Sequence, residues 1–541
     1  MQFETSDRFG NDEKVNGAYL ADRNFQQDAG ARRSRISFDN PINAFPEDFY
    51  AEAAKLSEAV FVGRLDAPEW HVQVFSRSGF LTPKLIMEAS GQGTGEIVLP
   101  FKIKAGGGAR FFVSITYRGT LQSDLLGFAV PAPEQPVPMG LSITTYNKPG
   151  YVRHNLEIIR SSNAYKAGLI DLLIVNNGDA IQGLPEDIEV MHPGNVGGTG
   201  GFSAGAAHFR DKGRRHFVIM DDDIVLLTDM VDRFFALSCF ARGMHIGSLA
   251  EIENTPRRLV KEQGANVSPQ HTFGLELVHP MIDIHGWFKD QIYDFREVDY
   301  SGWWALMVDL TTAPKSGVPA FYFIKRDDIT FGFESRLAGT PTVVFPNLIV
   351  AHSEEGAASY FYYDVRNDLV MRARNNTHLG ISIRGIAQEL ATKFMTYKLD
   401  EQRMFNQALS DFMSGPKQLE AQPVSVTLGK VRKLAGTRIP LPEDSPVISS
   451  DEVVSTRRMA LAWLRPSSWR APDPLPLVPE GHRACVTEIG GYIQMLPFSE
   501  KGIAHHRSMA NIWSFLRGIA LLGRLAITRG KIVARYQEGQ K

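Results

Sequence analysis

Three consecutive aspartates directly follow a short apolar run, and this pattern constrains the fold more than any other part of the chain. The run at 216–220 is typical of a buried strand, and Asp221, Asp222 and Asp223 begin where that strand should reach the surface. In an extended chain, Asp221 and Asp223 face one side while Asp222 faces the other. Because adjacent carboxylates repel one another unless a cation neutralises them, the pattern predicts a divalent metal site at a strand end. A solvated acidic turn is the alternative, and the motifs further along the chain favour the metal site.

The domain organisation follows from the length of the chain and from its changes in composition. A chain of 541 residues is too long for one hydrophobic core, and about three domains are expected. The proline-rich stretch 131–138 is typical of a stiff linker. We therefore predict a β-sandwich at 1–136, an α/β domain at 137–375 and a helical domain at 376–541.

The first of these domains is rich in short strand candidates. They lie between about residues 57 and 130, and glycine clusters at 91–95 and 106–108 are expected to separate them. This pattern favours a small β-sandwich.

The second domain alternates between strands and helices. Strands are predicted at 141–144, at 172–175 and at 216–220, and helices at 151–161 and around 202–209. Such alternation indicates a Rossmann-like, mainly parallel sheet covered by helices.

Charge and cysteine content exclude several function classes. The formal net charge of -2 provides no field that would attract nucleic acid, so no nucleic-acid partner is expected. Cys239 and Cys485 lie far apart without metal-ligand spacing, which favours a reducing cytosol over a disulfide scaffold. The first residues lack a signal-peptide pattern, and no apolar stretch of about 18 residues occurs. We therefore expect a cytoplasmic protein without a membrane-spanning helix.

The last segment, 508–537, combines large apolar residues with basic residues at helical spacing. Glu538 is the only acid close to it, and its basic residues are Arg517, Arg524, Arg529, Lys531 and Arg535. Such a helix can lie on an anionic membrane surface, which would place the protein at the inner face of the cell membrane, or it can pack on its own domain. The sequence favours neither alternative, and it also leaves association into a homo-oligomer open.

Polar residues follow the first two strands of the α/β domain. Thr144 lies in a strand-to-helix turn whose hydroxyl and amide groups could bind a nucleobase and ribose, and Arg153 lies one turn into the next helix. Asn177 ends the second strand and would face the same crevice. A helix cap or a tight turn is the simpler interpretation of each.

A glycine-rich segment at 195–203 begins with Asn195. Its four glycines could let the backbone approach a ligand and expose N–H groups to an anion. The segment matches neither the dinucleotide fingerprint nor the phosphate-binding loop of nucleotide hydrolases, so neither an NAD enzyme nor an ordinary NTPase is predicted. A flexible turn is the alternative.

Two further segments carry aromatic and acidic side chains. Trp303 and Trp304 should point to opposite faces of a strand, so that one is in the core and the other displays its ring to sugar C–H groups. Asp327 and Asp328 lie between a predicted apolar strand at 321–324 and a predicted helix. One of these carboxylates could cap the helix, and the other could accept a proton from a hydroxyl nucleophile.

A histidine and an arginine complete the set of candidate site residues. His352 ends a strand-like run, and its imidazole together with the aspartates would suit Mn²⁺ or Mg²⁺. Arg366 follows in the next predicted helix and could lie near a phosphate.

Taken in order, these segments resemble the bacterial galactofuranosyltransferases that polymerise cell-wall galactan, which are inverting glycosyltransferases of the GT-A superfamily. The order and approximate spacing persist through the α/β domain, over the segments 143–147, 195–202, 220–224, 302–304, 327–328, 341–343, 352 and 366–367. The resemblance implies a GT-A catalytic domain, with a β-sandwich before it and a helical region behind it.

The resemblance also implies a donor, an acceptor and a role for each matching residue. The donor would be a UDP-sugar, most readily UDP-galactofuranose, and the acceptor a glycan or lipid-linked glycan of the cell surface. Asp221, Asp223 and His352 would hold the metal, and Asp328 would be the catalytic base. Trp303, Trp304 and Asp327 would bind the acceptor. The residues expected near the nucleotide or donor sugar are Thr144, Arg153, Asn177, Asn195, Asp221, Asp222 and Arg366.

Three alternatives stay open at this stage. Asn176-Asn177 and Ala305-Leu306 depart from the family pattern, so a rhamnosyl- or glucosyltransferase with another nucleotide-sugar donor is compatible with the sequence. A non-catalytic glycan-binding protein would not need the base at Asp328. A metal-dependent phosphohydrolase is the third alternative.

Overall fold

The computed structural model of the protein describes most of the chain. The described residues are 25–39, 43–79, 81–130, 136–227, 229–252, 259–283, 291–315, 317–353, 357, 359–395, 399–435, 488–489, 492–493 and 509–538. The proline-rich stretches at 439–446 and 465–479 and Cys485 lie outside the described residues.

Contacts between Cα atoms divide the chain into two compact units. The first comprises Met1–Val267, Leu275–Val318 and Asp328–Glu354, and the second comprises Ser268–Gly274, Pro319–Asp327 and Glu355–Lys541. The first unit contains both an N-terminal antiparallel sheet and an α/β sheet. The two predicted domain boundaries, after residues 136 and 375, stay predictions.

The N-terminal sheet consists of long antiparallel strands. In chain order, its elements are β1 (Phe25–Ser37), β2 (Phe45–Pro46), α1 (Glu47–Ala53), β3 (Glu58–Ser78), β4 (Lys84–Lys102) and β5 (Ala109–Ala129). The strand order is β1-β5-β3-β4, and β2 pairs with β5. Buried residues alternate with more exposed ones along β3, as a sheet with one covered face requires.

The glycines at 91–95 make room for a tryptophan and do not separate strands. Trp70 on β3 lies opposite Gly91 on β4, and a Cβ atom at Gly91 would lie 2.2 Å from the indole ring. A Cβ at Gly95 would lie 2.4 Å from the same ring. The expectation that this cluster separates two strands is therefore wrong, because glycine here provides space for a buried ring.

The α/β sheet provides the framework for the candidate site. The strands that follow along the chain are β6 (Met139–Thr145), β7 (Ile170–Asn176), β8 (Glu189–Met191), β9 (His216–Asp221), β10 (Ile224–Leu226), β11 (His245–Ile252), β12 (Leu259–Val260), β13 (Ala265–Val267), β14 (Leu275–Leu277), β15 (Ile282–Asp283), β16 (Glu297–Val298), β17 (Ala305–Asp309) and β18 (Thr342–His352). β13 and β14 pair separately, and the other strands join one 11-stranded sheet with the central order β10-β18-β11-β17-β9-β6-β7-β8.

Strand directions confirm the predicted mixed α/β class with a mainly parallel sheet. β9, β6, β7 and β8 are parallel neighbours, and β11 is parallel to β18. β17 lies between β9 and β11 and is antiparallel to both. Every residue of β6 is buried, as expected for a strand covered on both faces.

Helices accompany this sheet along the chain. They are α2 (Pro149–Ser161), α3 (Asn163–Lys166), α4 (Gly197–Asp211), α5 (Met230–Phe240) and α6 (Asp327–Leu337). The glycine-rich segment is therefore the start of α4, and the flexible-turn alternative is wrong. A Cβ at Gly201 would lie 2.3 Å from Thr144 Cγ2, and one at Gly205 would lie 2.6 Å from Ser142 Oγ. Glycine at both positions lets α4 pack directly on β6.

The second unit is mainly helical, which confirms the predicted helical C-terminal region. Its elements are α7 (Tyr360–Arg374), α8 (Ile383–Met395), α9 (Leu399–Ser414), α10 (Pro416–Ala421), α11 (Val424–Arg432), the short strands β19 (Glu488–Ile489) and β20 (Tyr492–Ile493), and α12 (Met509–Glu538). In the part of the chain that the structure describes, none of the helices combines the length and hydropathy that a bilayer crossing requires.

One predicted strand is absent from its expected position. The apolar residues at 321–324 form a single 3₁₀ turn, Ala320–Tyr322, followed by Phe323 with a positive φ of 66°. The expectation of a strand here is wrong. The backbone carbonyls of this segment bond to buried side chains of α7 and not to a neighbouring strand. Asn367, for example, donates hydrogen bonds to the carbonyls of Tyr322 and Ile324.

Candidate active site

The candidate site lies at the carboxyl edge of the α/β sheet. β6, β7, β9 and β18 run in the same direction, so their last residues, Thr145, Asn176, Asp221 and His352, lie at one edge. β17 runs in the opposite direction, and the residues just before it therefore lie at the same edge. Its preceding residue, Trp304, accepts a hydrogen bond from the backbone N–H of Asp221 (3.2 Å). Residues distant in sequence meet here because parallel strands share an end.

Asp221, Asp223 and His352 form a cluster with the composition of a metal site. One ligand atom from each lies within 4.8 Å of the others. One strand pairing and one backbone hydrogen bond create this arrangement. β9 ends at Asp221, and the chain turns into β10, whose first residue Ile224 pairs with His352. The backbone N–H of Ser353 then donates to the carbonyl of Asp223 (3.1 Å), which places Asp223 beside the imidazole.

The chemistry of this cluster fits a divalent cation. Burial, followed by repulsion from Asp223 and Asp222, raises the pKa of Asp221 well above its usual value. Asp223 Oδ1 lies 3.5 Å from His352 Nε2 and, among the described residues, accepts no hydrogen bond. Two carboxylates and one imidazole are donors that suit Mn²⁺ or Mg²⁺, and the charge of such an ion would remove the repulsion.

Lys148 is a site residue that sequence reasoning missed. Its ammonium group lies 2.7 Å from Asp223 Oδ2. Burial lowers the pKa of Lys148, but attraction to Asp223, and more weakly to the other two aspartates, outweighs burial and raises it. A signal was present, because Lys148 is the one cation in the turn after β6, the strand that neighbours β9. Its pairing with Asp223 depends on the sheet order, which the sequence does not state.

Asp222 faces away from the cluster and fixes the turn after β6. Its Oδ2 accepts hydrogen bonds from the hydroxyl of Thr145 and the backbone N–H of Tyr146, both at 2.9 Å. Burial and the nearby Asp223 raise its pKa to about 6, although the hydrogen bond from Tyr146 opposes them. Asp222 therefore ties the first loop of the site to the acidic turn, and it lies beside the predicted nucleotide residues.

Thr144 and Asn177 present unsatisfied polar atoms at the same edge. Both are buried, at 4% and 5% exposure. Thr144 Oγ1 and Asn177 Oδ1 have no hydrogen-bond partner within the described part of the chain. The amide nitrogen of Asn177 is engaged, because it donates to the carbonyl of Gly197 at the start of α4 (2.9 Å). Buried polar atoms of this kind normally bind a partner, and a ligand at this edge would provide one.

Asn195 and Arg153 lie in exposed positions. Asn195 Oδ1 accepts a hydrogen bond from the backbone N–H of Gly197 (3.3 Å), so this side chain supports the start of α4. Arg153, on α2, donates to the carbonyl of Gln182 (2.9 Å). Both roles as nucleotide or donor ligands stay predictions.

The rings of Trp303 and Trp304 contact different neighbours, as predicted, but neither ring is exposed at the surface. Trp303 and Trp304 are only 7% and 8% exposed. The ring of Trp303 lies 4.8 Å from that of Phe202 and 5.7 Å from that of Phe331. Trp304 lies 5.8 Å from the His352 ring, and its Nε1 donates to the carbonyl of Ser248 (2.9 Å). The expectation of one displayed ring is wrong, because neighbouring elements cover both.

Asp327 and Asp328 differ in exposure at the start of α6. Asp327 is buried at 6% exposure and Asp328 is half-buried, with its Oδ1 accepting the backbone N–H of Ile329 (2.8 Å). Phe331 lies one turn beyond Asp328 on the same helix face, and it contacts Trp303. Phe331 thus links the first turn of α6, which carries Asp328, to Trp303.

Arg366 is engaged by protein groups of its own unit. It is buried in the second unit at 2% exposure, and its guanidinium donates to the carbonyls of Phe321 and Tyr322 and to Asn367 Oδ1. Protein acceptors and aromatic rings surround this cation, and its predicted role near a phosphate stays a prediction.

Comparison with known proteins gives two curated relatives. The chain is 23% identical over 433 residues to galactofuranosyltransferase GlfT2 of Mycolicibacterium smegmatis, a match covering 71% of this chain and 65% of that protein. It is 21% identical over 433 residues to galactofuranosyltransferase GlfT2 of Mycobacterium tuberculosis, covering 71% and 66%. The chain thus spans about two thirds of the length of these relatives. No family model matches the sequence.

Solved structures give weaker similarities. Staphylococcus aureus TarS 1-349 superposes with a TM-score of 0.32 and 13% identity over 55% of this chain and 88% of that chain. GalNAc-T7 with UDP, GalNAc and Mn²⁺ gives 0.32 and 10% over 47% and 53%. Scores at this level carry no weight for fold or function.

Both curated relatives are glycosyltransferases, and the chain is therefore related in sequence to this class of protein. Within that class, the chain is similar in sequence to bacterial galactofuranosyltransferases, and the resemblance predicted from its motifs is confirmed.

Proposed function

We propose that this chain is an inverting, metal-dependent glycosyltransferase of GT-A type that moves galactofuranose from UDP-galactofuranose to a glycan or lipid-linked glycan in cell-surface polysaccharide synthesis. The observation that carries the proposal is the convergence of Asp221, Asp223 and His352 at the carboxyl edge of the sheet. Thr144 and Asn177, with their unsatisfied buried oxygens, support a nucleotide at that edge. The names of the curated relatives support galactofuranose as the sugar.

In the proposed reaction, the protein holds the donor pyrophosphate and removes one proton. A divalent ion held by Asp221, Asp223 and His352 would supply the positive charge that a departing pyrophosphate needs. Lys148 contributes a fixed positive charge beside the same ligands. Thr144, Asn177, Asn195 and Arg153 orient the nucleotide and the donor sugar.

Asp328 accepts the proton of an acceptor hydroxyl as that oxygen attacks the anomeric carbon. The new C–O bond forms opposite the departing UDP, which leaves with the electron pair of the broken bond, and the configuration therefore inverts. Asp328 is half-buried and can contact the acceptor, whereas the buried Trp303 and Trp304 would support the acceptor side of the site from beneath it.

The central experiment is product analysis with UDP-galactofuranose, Mn²⁺ and a synthetic galactofuranoside primer. Primer extended by galactofuranose with inverted anomeric configuration is the expected product. Transfer from another UDP-sugar or from a dTDP-sugar, without transfer from UDP-galactofuranose, would contradict the proposed donor. Donor hydrolysis at full rate without an acceptor would instead indicate a phosphohydrolase, and binding without turnover would indicate a glycan-binding protein.

The proposal extends to the location of the protein in the cytoplasm, at the inner face of the membrane that carries lipid-linked acceptors. One face of α12 packs on its own unit, where Tyr536 donates to the carbonyl of Phe412 (2.8 Å). The opposite face exposes Trp513 at 62% and Ile527 at 87%, together with basic side chains. Aromatic and aliphatic side chains interleaved with cations suit an anionic lipid surface.

Sedimentation with vesicles tests this location. The protein should bind vesicles rich in phosphatidylglycerol and should not bind neutral phosphatidylcholine vesicles. Replacing Trp513 and Ile527 by serine should weaken binding by at least about 100-fold, since two buried apolar side chains together contribute about 3–6 kcal/mol and each 1.4 kcal/mol is about tenfold in affinity. Equal binding to both kinds of vesicle would contradict an electrostatic contact. Association into a homo-oligomer stays a prediction.

A further inference from the structure

The segment just before the proposed catalytic helix has an unusual backbone. Phe323, Lys325 and Arg326 have positive φ angles of 66°, 65° and 63°. The backbone N–H of Ile324 donates to the carbonyl of Tyr322 (2.7 Å), which closes a three-residue turn centred on Phe323. Residues other than glycine rarely adopt this conformation, and it persists only where surrounding groups hold it.

Asn367 holds this segment through one side-chain amide. It lies on α7 and is fully buried. Its Nδ2 donates to three carbonyls in the turn: those of Tyr322 (3.1 Å), Ile324 (2.9 Å) and Lys325 (2.8 Å). Its Oδ1 accepts hydrogen bonds from Arg366 Nε (2.9 Å) and Nη2 (2.8 Å), which fix the orientation of the amide.

Two arginines add further hydrogen bonds between α7 and the segment before α6. Arg366 donates to the carbonyls of Phe321 and Tyr322. Arg326, at the end of the segment, bonds to Asp364 (2.7 Å) and Asp368 (3.1 Å) on α7. We call Asp364, Arg366, Asn367 and Asp368 the α7 clamp. It engages the backbone of residues 321–325 and the side chain of residue 326.

We propose that Asn367 is a positioning residue for Asp328. The chain continues from the clamped segment through Asp327 into α6, so the direction of the last clamped residues sets where that helix begins. Asp328 is the second residue of α6, and its carboxylate direction follows from that start. The inference deepens the proposed function and rests on it, because it assumes that Asp328 is the base. It also gives the buried Arg366-Asn367 pair a role that does not involve a phosphate.

The informative substitution is Asn367→Asp, which keeps the shape of the side chain and removes its N–H donors. A carboxylate facing three carbonyls cannot hold the turn, and Asp328 should move. Misplacement of a reacting group by about 1 Å can lower a rate by about 100-fold, so we expect kcat to fall by about 10- to 100-fold. Donor KM and Mn²⁺-dependent UDP affinity should stay within about twofold, since Asp221, Asp223 and His352 come from other segments.

The matched control is Asn375→Asp in the C-cap of the same helix. Asn375 is also buried, and its Nδ2 donates to the carbonyl of Met371 (3.0 Å). The chemical change is identical, but Asn375 does not belong to the clamp. The control should keep kcat within about twofold. If both variants lose kcat in proportion to their loss of thermal stability, Asn367 has only a structural role and the inference is overturned.

A double-mutant cycle with Asp328→Asn separates positioning from an independent effect. Loss of a general base lowers kcat by about 10²–10⁴-fold. If Asn367 acts through Asp328, the Asn367→Asp/Asp328→Asn double variant should be no slower than Asp328→Asn alone, within about threefold. Multiplied losses would overturn the inference and leave the proposed function intact. A fully active Asp328→Asn protein would instead reject the proposed base, and the inference with it.

Hydrogen exchange provides a readout that does not depend on activity. In Asn367→Asp, the backbone amides of residues 322–328 should exchange at least about tenfold faster than in the wild-type protein. The amides of β9 should keep their wild-type rates. Unchanged exchange at 322–328 would show that the clamp does not hold the segment, whatever the protein transfers.

Discussion

At the scale of single residues, charge compensation governs the acidic edge. Asp223 lies between Lys148 and His352, so one carboxylate faces a cation on one side and an imidazole on the other. Asp221 has a raised pKa mainly because its carboxylate is partly removed from water and also because Asp223 and Asp222 repel it. The lysine therefore balances part of the negative charge, and a divalent ion would balance the rest.

Replacing Lys148 by glutamine should change metal and nucleotide affinity in opposite directions. Loss of a positive charge close to Asp223 removes a competitor for the carboxylate, so Mn²⁺ alone should bind more tightly, by about tenfold. The nucleotide loses an attractive charge, so UDP should bind more weakly at saturating Mn²⁺. Titration calorimetry measures both affinities. A shift of both in the same direction would contradict the proposed role of Lys148.

Substitutions of Asp223 and of Asp328 should affect different steps, namely metal-dependent UDP binding and turnover. Asp328→Asn should keep UDP affinity and lose about 10²–10⁴-fold in kcat, because only proton removal is affected. Asp223→Ala should lose Mn²⁺-dependent UDP binding, because one of three metal ligands is removed. Calorimetry and steady-state kinetics on the two variants separate these outcomes. Normal turnover of Asp328→Asn, or unchanged metal affinity of Asp223→Ala, would show that the corresponding assignment is wrong.

At the scale of elements, the close packing of α4 on β6 sets the position of Thr144. Gly201 faces Thr144, and Gly205 faces Ser142, at distances that leave no room for a Cβ atom. Phe209 lies against Gly140 in the same way. The helix whose first turn contacts Asn177 is thus held directly on the strand that bears the predicted nucleotide residue.

Gly201→Ala should separate α4 from β6. Alanine normally stabilises a helix interior relative to glycine, but here its methyl group would lie 2.3 Å from Thr144. Such overpacking typically costs about 1–3 kcal/mol, so we expect a lower free energy of unfolding together with weaker UDP binding. Gly150→Ala in α2 is the control, since a Cβ there meets no atom within 4 Å. Equal effects of the two substitutions on urea unfolding would contradict this account.

At the scale of the whole molecule, a buried histidine pair makes stability depend on pH. His216 and His245 lie beside Asp309, and His245 Nδ1 accepts the backbone N–H of Asp309 (3.2 Å). Burial lowers the pKa of each histidine from 6.5 to about 4, although Asp309 opposes this shift. Both side chains are therefore neutral in the folded protein at neutral pH.

The free energy of unfolding should fall as the pH falls from about 6.5 to about 4. In that window the unfolded chain binds protons that the folded protein does not, so acid favours unfolding by about 1.4 kcal/mol per pH unit for each histidine. Below about pH 4 this contribution no longer changes. His245→Asn keeps an acceptor for Asp309 and removes the titrating group, so its urea unfolding should depend less on pH. Identical pH dependence in both proteins would exclude His245 as a cause.

The sequence alone determined much of the local structure. The strands at 141–144, 172–175 and 216–220 and the helices behind them are present, because hydrophobic periodicity depends on neighbouring residues. The order of the motifs also predicted the relationship to galactofuranosyltransferases, which the two curated relatives confirm. The acidic turn after β9 was evident because three carboxylates follow an apolar strand.

Tertiary structure decided which distant residues meet. Sheet order places Lys148 against Asp223, and antiparallel pairing of β10 with β18 places His352 there as well. Packing covers both Trp303 and Trp304. Hydrogen bonds from α7 hold residues 321–324 in a turn in which Phe323 has a positive φ. Packing also surrounds Arg366 with protein acceptors. These outcomes depend on contacts between residues tens to hundreds of positions apart, whereas sequence patterns report mainly on the nearest turn or strand.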